Sequence, residues 1–312
     1  MLSEASPLCA RASVVVLTLN AARWMPDLLA ALRRLPEPPC RVLFIDSSSE
    51  DATAELAQAA GHTVHRIDRA EFGHGKTRNL GVRLCADSEF IVFLTQDALP
   101  VGSDWLEHIL APLADATVGL AYGRQLPRED AGLHERFARE FNYPAGPAEK
   151  TSVQDLDTRG IKAVFCSNSF AAYRADALAA IGGFPEVLPL GEDLSAALRL
   201  VQRGYRRAYE PSAMVIHSHA YSLRQEFQRY FDIGALMVMD PELRRLHRAT
   251  AGEGQRYARA EWAAARSPMQ KLAVLGRVFA KFGGFSLGKR YRWLPSPVRG
   301  RFGMHRLFWT TQ

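Results

Sequence analysis

The chain lacks any apolar run long enough to cross a bilayer, which takes about 20 residues; its longest, at 13–19 and 90–94, fall far short. Residues 1–13 lack the basic start and apolar stretch of a secretion signal, so the cytoplasm is the expected compartment. Cysteine is scarce. Cys9, Cys40, Cys85 and Cys166 show no CxxC spacing and no histidine pair nearby, which argues against a disulfide framework and a cysteine-bound zinc. Acid is missing from the end of the chain: ten of the 39 Lys and Arg follow Glu261, and none of the 33 Asp and Glu does. A basic tail on a near-neutral body fits an anionic partner, either membrane lipid or nucleic acid.

What is present is ordinary in bulk. With 312 residues, 47% apolar and 23% charged, the chain fits one large α/β domain or two small ones. Residues 13–19 read as a buried parallel strand, and 41–46, 62–67 and 89–95 as three more. Helical spacing fills the gaps at 24–35, 51–60 (N-cap Ser49 or Asp51) and 76–85. This alternation predicts a doubly wound sheet with helices on both faces. Ligands of such sheets bind at the carboxyl ends of the strands, where 18–20, 46–48 and 95–97 stand.

The second half is less regular. Helices are expected at 104–113, 133–141, 175–181 and 194–203, and extended segments at 118–122, 164–173 and 213–217, with 129–157 mostly loop. Ser222 and Gln225 form a capping box for a helix to about Met239, which Asp240-Pro241 breaks. Another helix runs from Ser267-Pro268 to Phe282. The expected division is a catalytic domain at 1–240 and a basic helical extension at 241–312.

Four spots carry chemistry, each with a plainer alternative. Asp97 ends an apolar strand, where a carboxylate suits a hard cation bridging phosphate oxygens; it could equally cap the helix from Ser103. Glu192 and Asp193 open a helix, as a general base or as acids favouring the helix dipole. His217 and His219 share a face if their strand continues, as metal ligands or as hydrogen-bonded structural histidines. FGHGKTRN (72–79) puts glycines, Lys76 and Arg78 at a helix start, an anion site or a solvated basic turn; its spacing is not that of a Walker loop.

Together these residues resemble the family 2 glycosyltransferases of the GT-A fold. The resemblance rests on VVVLTLN (14–20), IDSSSEDAT (45–53), KTRNLG (76–81), FLTQD (93–97), SNSFAAYR (167–174), IGGFPE (181–186) and GEDL (191–194). FGHG (72–75), LTQDA (94–98) and IHSHAYS (216–222) are similar to the bacterial rhamnosyltransferase branch. The resemblance implies a single α/β/α sandwich on a mixed, mainly parallel sheet with a helical C-terminal extension. It implies an inverting transfer from a nucleotide sugar, dTDP-L-rhamnose in this branch, to a lipid-linked bacterial glycan; a UDP- or GDP-hexose donor is the alternative. Thr18, Asn20, Asp46, Arg78, Asn79, Gln96 and Asp97 are then donor-binding residues. Asp97 with His217 or His219 holds Mg2+ or Mn2+, and Asp193 is the base, with Glu192 its alternate. Thr95 stands where the family's DxD motif has its first acid, and Ala98 where a third is frequent. Either the metal is held weakly or a histidine completes its shell.

In the extension, Leu272, Leu275, Val278, Phe279 and Phe282 fall on one helical face, with Lys271, Arg277 and Lys281 beside or opposite it. Such a helix can lie on the inner face of the cytoplasmic membrane or pack on the catalytic domain. Phe279, Phe282, Phe285, Tyr291 and Trp293 among the basic residues also permit base stacking, but the acids at the strand ends would repel a nucleic-acid phosphate.

Overall fold

The computed structural model describes residues 7–249 and 252–310. Strand β1 (Ala12–Thr18) is buried at every position. Its unbroken VVVL run suits a central parallel strand, which is covered on both faces and needs no polar side. There follow α1 (Met25–Arg33), β2 (Arg41–Asp46), α2 (Thr53–Ala59), β3 (Thr63–Arg66), α3 (His74–Leu84) and β4 (Phe90–Thr95). β1 lies between β2 and β4, and β2 pairs with β3, all parallel.

The next elements are β5 (Leu99–Pro100), α4 (Trp105–Leu110), β6 (Val118–Leu126), α5 (Leu133–Asn142), β7 (Glu149–Thr151), α6 (Leu156–Arg159), β8 (Phe170–Arg174), α7 (Ala175–Ala180), α8 (Glu192–Gln202) and β9 (Arg206–Ile216). The sheet order is β3-β2-β1-β4-β8-β6-β9-β5, with β7 also on β9. β8 is antiparallel to β4 and β6, and β5 and β7 to β9. β6 and β9 are parallel. The sheet is therefore mixed and mainly parallel, as expected. Alternate side chains serve opposite layers. Val14, Val16, Phe44 and Val92 pack with α1 and α4, and Val15, Leu17, Ile45 and Phe93 with α7 and α8.

The structure redraws several boundaries. The extended stretch at 164–173 contracts to β8, whereas β9 begins at Arg206 rather than Ala213. Within 129–157, β7 pairs with the lengthened β9. A bulge between Gly123 and Arg124 lets β6 and β9 stay paired to Ile216.

Helices α9 (Leu223–Met239), α10 (Pro241–Ala249), α11 (Glu253–Ala264), α12 (Pro268–Gly288), α13 (Ser296–Phe302) and α14 (Arg306–Thr310) complete the chain. The capping box at Ser222 and Gln225 forms as read. Pro241 ends α9 but also starts α10, because a proline at the first helical position loses no intrahelical hydrogen bond. α12 passes Phe282 and continues to Gly288 because its glycines let it lie against α9. A Cβ on Gly288 would stand 2.0 Å from the Phe231 carbonyl oxygen, and one on Gly284 2.2 Å from that of Phe227. Trp309 is buried against Phe231 and Tyr291, which folds the end of the described chain back onto α9. Among the described residues no helix is long and apolar enough to cross a membrane.

Candidate functional site

Parallel pairing brings the ends of β1, β2 and β4 side by side, Thr18 opposite Asp46 and Leu17 opposite Thr95. Asp46 is fully buried: Oδ1 accepts the hydroxyls of Thr18 (3.1 Å) and Ser49 (2.5 Å), and Oδ2 the Ser49 N–H (2.9 Å). Asn20 takes a left-handed backbone (φ 49°), and its Oδ1 accepts the Glu50 N–H at 2.9 Å. Gln96 clamps β1 to β4: its Oε1 accepts the Leu19 N–H (2.7 Å) and its Nε2 donates to the Leu19 carbonyl (3.1 Å). These residues shape a rigid wall at the strand ends.

Asp97 does not cap the following helix, whose N-cap is Asp104. It meets the two histidines instead. His217 Nε2 lies 3.5 Å from Asp97 Oδ1, and His219 Nε2 lies 3.6 Å from Oδ2. β9 stops at Ile216, so irregular backbone rather than a continuing strand brings both imidazoles to one carboxylate. The rings meet edge to face, centroids 4.7 Å apart. Gln125 Oε1 lies 2.9 Å from His217 Nδ1 and also accepts from Arg139 Nη1. With the amide oxygen fixed by that guanidinium, His217 Nδ1 must be the donor. Its Nε2 then faces the Asp97 carboxylate, a geometry in which it can donate a proton or share a metal ion. Burial opposes ionisation of Asp97, but the hydrogen bond and charge of His217, with the charge of His219, hold its carboxyl far below the usual range. Burial and the neighbouring His217 push His219 down to about 4, so it is neutral and ligand-ready near pH 7. One carboxylate oxygen and two imidazole nitrogens within 4.8 Å of one another can hold a divalent cation.

The acid pair opens α8, where Gly191 in a left-handed conformation (φ 80°) turns the chain into the helix. Glu192 Oε1 is 2.8 Å from Arg78 Nη1, both side chains nearly out of contact with solvent, and it accepts the Asn168 amide at 3.3 Å. Arg78 also donates to the His74 carbonyl (3.1 Å) and lies over the Phe93 ring. It is thus committed to Glu192 beneath the surface rather than projecting into open space. Asp193, partly exposed, accepts the Leu194 and Asn168 N–H groups at 2.8 and 3.2 Å. Burial first and the Glu192 charge second raise its carboxyl to about 6, against the opposing pull of Arg78. Asn79 turns away from this cluster. Its Nδ2 donates to the Phe184 carbonyl and Glu186, and its Oδ1 accepts the Phe184 N–H, so it holds the 184–186 loop.

Five residues with no role assigned from sequence belong to this neighbourhood. Gln125 fixes the His217 tautomer, and Asn168 braces both acids. Arg128 donates to the Asp97 carbonyl at 2.9 Å and stacks on Trp24. Arg229 of α9 interacts electrostatically with Asp193, His219, Tyr143 and His74, yet among the described residues no carboxylate lies within ion-pair distance of it. His305, near the end of the chain, meets His74 at 3.2 Å. Asn168 sits in a quoted motif, SNSF. Nothing in the local sequence distinguished Arg229 from other surface arginines of a helix.

Comparison with known proteins agrees with this geometry. Residues 13–182 match the family described as Glycosyl transferase family 2. The chain is 40% identical over 301 residues, 95% of each chain, to the O-antigen chain rhamnosyltransferase WbaN of Salmonella anatum. It is 38% identical over 300 residues, again 95% of each, to RfbN of Salmonella typhimurium, of the same description. Among solved structures, the mannosyltransferase PcManGT of Pyrobaculum calidifontis, in complex with GDP-Man and Mn2+, gives a TM-score of 0.58 at 20% identity, covering 96% of this chain and 86% of that one. TarS of S. aureus in complex with UDP gives 0.57 at 20% identity, covering 94% and 80%. These two likenesses establish the fold, and the sequence relationship establishes the family: the chain belongs to glycosyltransferase family 2, an enzyme family here carried on the GT-A fold.

Proposed function

We propose that the chain transfers L-rhamnose from dTDP-L-rhamnose to a hydroxyl of a lipid-linked surface glycan, O-antigen or a similar chain, with inversion in one displacement. The observation that carries this reading is the end-to-end similarity to two O-antigen chain rhamnosyltransferases. The nucleoside lies along the wall made by Thr18, Asn20, Asp46 and Gln96. Asp193 takes the proton of the acceptor hydroxyl as that oxygen attacks the anomeric carbon, and the bond from that carbon to the diphosphate oxygen breaks. A carboxylate poised near pH 6 is largely ionised at pH 7 yet basic enough to accept the proton. Glu192 and Arg78 neutralise one another and leave Asp193 as the reactive member of the pair. Arg229, which among the described residues has no carboxylate within ion-pair distance, meets the charge that develops on the departing diphosphate.

A divalent ion at Asp97, His217 and His219 would supply further stabilisation of that diphosphate; the gathering of their ligand atoms within 4.8 Å of one another supports the fit. Residues 1–240 form the catalytic unit, and the acid-poor extension at 241–312 brings it to the inner face of the membrane, where a lipid-linked acceptor resides.

A panel of nucleotide sugars, assayed for transfer to isolated lipid-linked glycan, tests the reading. The expected result is turnover with dTDP-L-rhamnose and a product of opposite anomeric configuration. Preferential turnover of a UDP- or GDP-hexose would overturn the donor assignment.

A further inference from the structure

Outside the catalytic neighbourhood, the start of α9 and the last two helices enclose an open pocket of about 590 Å³. Arg224, Arg301 and Arg306 line it, together with Ser296 and Thr310. Among the described residues, no carboxylate lies within ion-pair distance of these three guanidinium groups. The acids of α9 are already engaged. Glu226 pairs with Arg277 at 2.7 Å and Lys281 at 3.9 Å. Asp232 accepts the Met304 and His305 N–H groups and the Trp309 indole N–H, at 2.9, 3.1 and 2.7 Å. No Asp or Glu follows Glu261 to offset the charge. The hydroxyls of Ser296 and Thr310 donate to backbone carbonyls, so the arginines are the donors an incoming ligand meets. Planar, permanently charged guanidiniums in a group suit phosphate oxygens.

The pocket adjoins an apolar surface. α12 is apolar on two opposite faces. One face packs on α9 through Gly284 and Gly288, and there Arg277 and Lys281 reach Glu226. The other exposes Met269, Leu272, Phe279 and Phe282, at 61–74% of their full surface. Leu223, itself half exposed, sits beside Gly276 of α12 and immediately precedes Arg224. Guanidiniums thus stand next to a row of large apolar side chains, as in proteins that lie at a lipid headgroup layer.

We propose that this pocket binds the phosphate of an anionic membrane lipid, with the exposed face of α12 inserted beside it. The inference deepens the membrane-surface reading above by naming the residues that hold the headgroup. A free phosphate could use the same guanidiniums but would make no use of the apolar row, so the lipid is the source the surface fits.

Vesicle sedimentation at low salt tests this, using phosphatidylcholine vesicles with and without phosphatidylglycerol. The proteins are the wild type, an Arg224→Gln/Arg301→Gln/Arg306→Gln variant and a Phe279→Ser/Phe282→Ser variant, each checked for native circular dichroism. The wild type is expected to bind only the phosphatidylglycerol vesicles. The triple variant should bind them on the order of 100-fold more weakly, about fivefold per basic residue, and the phenylalanine variant should also lose binding. Hydrolysis of dTDP-L-rhamnose without vesicles should be unchanged in the triple variant. Vesicle binding by the triple variant equal to wild type would overturn the proposal. So would calorimetric binding of inorganic phosphate that the wild type shows and the triple variant loses, without vesicle binding by the wild type, which would mark a soluble-anion site. Vesicle binding is read without sugar transfer, so failure of the rhamnosyl reading would appear only in the donor assay.

Discussion

Arg78 Nη1 lies 2.8 Å from Glu192 Oε1, with both side chains nearly fully buried. This pair distinguishes two adjacent acids, because among the described residues Glu192 has a cation within ion-pair distance and Asp193 has none. Removing one member of a buried ion pair leaves the other charge uncompensated, at a cost of roughly 3–5 kcal/mol. Glu192→Gln should therefore lower stability by about that amount in denaturant unfolding. An unchanged unfolding midpoint, combined with lost transfer, would instead place Glu192 in the chemistry.

The Asp97, His217 and His219 set predicts a preference among metals. Two imidazoles with one carboxylate suit Mn2+ better than Mg2+, which favours all-oxygen sites. Calorimetry should give tighter binding of Mn2+ and its loss in Asp97→Ala. Gln125→Ala, which releases the His217 tautomer, should weaken Mn2+ about 10–100-fold without touching the ion. Equal binding in wild type and Asp97→Ala would remove the metal from the site.

Much of this geometry was legible in the sequence. The all-apolar runs of β1, β2 and β4 marked the central strands, and their ends named Thr18, Asp46 and Asp97, because a buried parallel strand must deliver its polar residues where it leaves the core. The capping box at Ser222 and Gln225 fixed the start of α9. Elements that depend on distant partners were not legible. β7 exists because Glu149–Thr151 pair with β9, and the short, polar segment carries no pattern of its own. The meeting of His217 with Asp97 was open in sequence because β9 ends before it. The role of Asn79 depends on a loop more than 100 residues away in the chain, which no local spacing announces.

Arg229 should act on the leaving group rather than on folding, since it sits on the surface of α9 with no ion pair to lose among the described residues. Arg229→Met is expected to lower kcat about 10²–10³-fold, the usual cost of one preorganised charge donor, with an unchanged unfolding curve. Steady-state kinetics with full activity would show that the diphosphate lies elsewhere.

The raised Asp193 carboxyl, as the proposed base, should set the acidic limb of the pH profile. Transfer needs the ionised form, so kcat/KM should fall as pH drops through about 6 and decline about tenfold per unit below it. The limb should move to lower pH in Glu192→Gln, because the neighbouring charge that raises Asp193 is gone. A limb near 4 in the wild type would mean that Asp193 is not the titrating base.

Transfer by Asp193→Asn, measured at saturating donor alongside donor affinity, tests the single-displacement mechanism most directly. Loss of the base should reduce turnover roughly 10²–10⁴-fold while dTDP-L-rhamnose binds as in the wild type. Turnover close to wild type in Asp193→Asn would contradict the assignment of Asp193 as base.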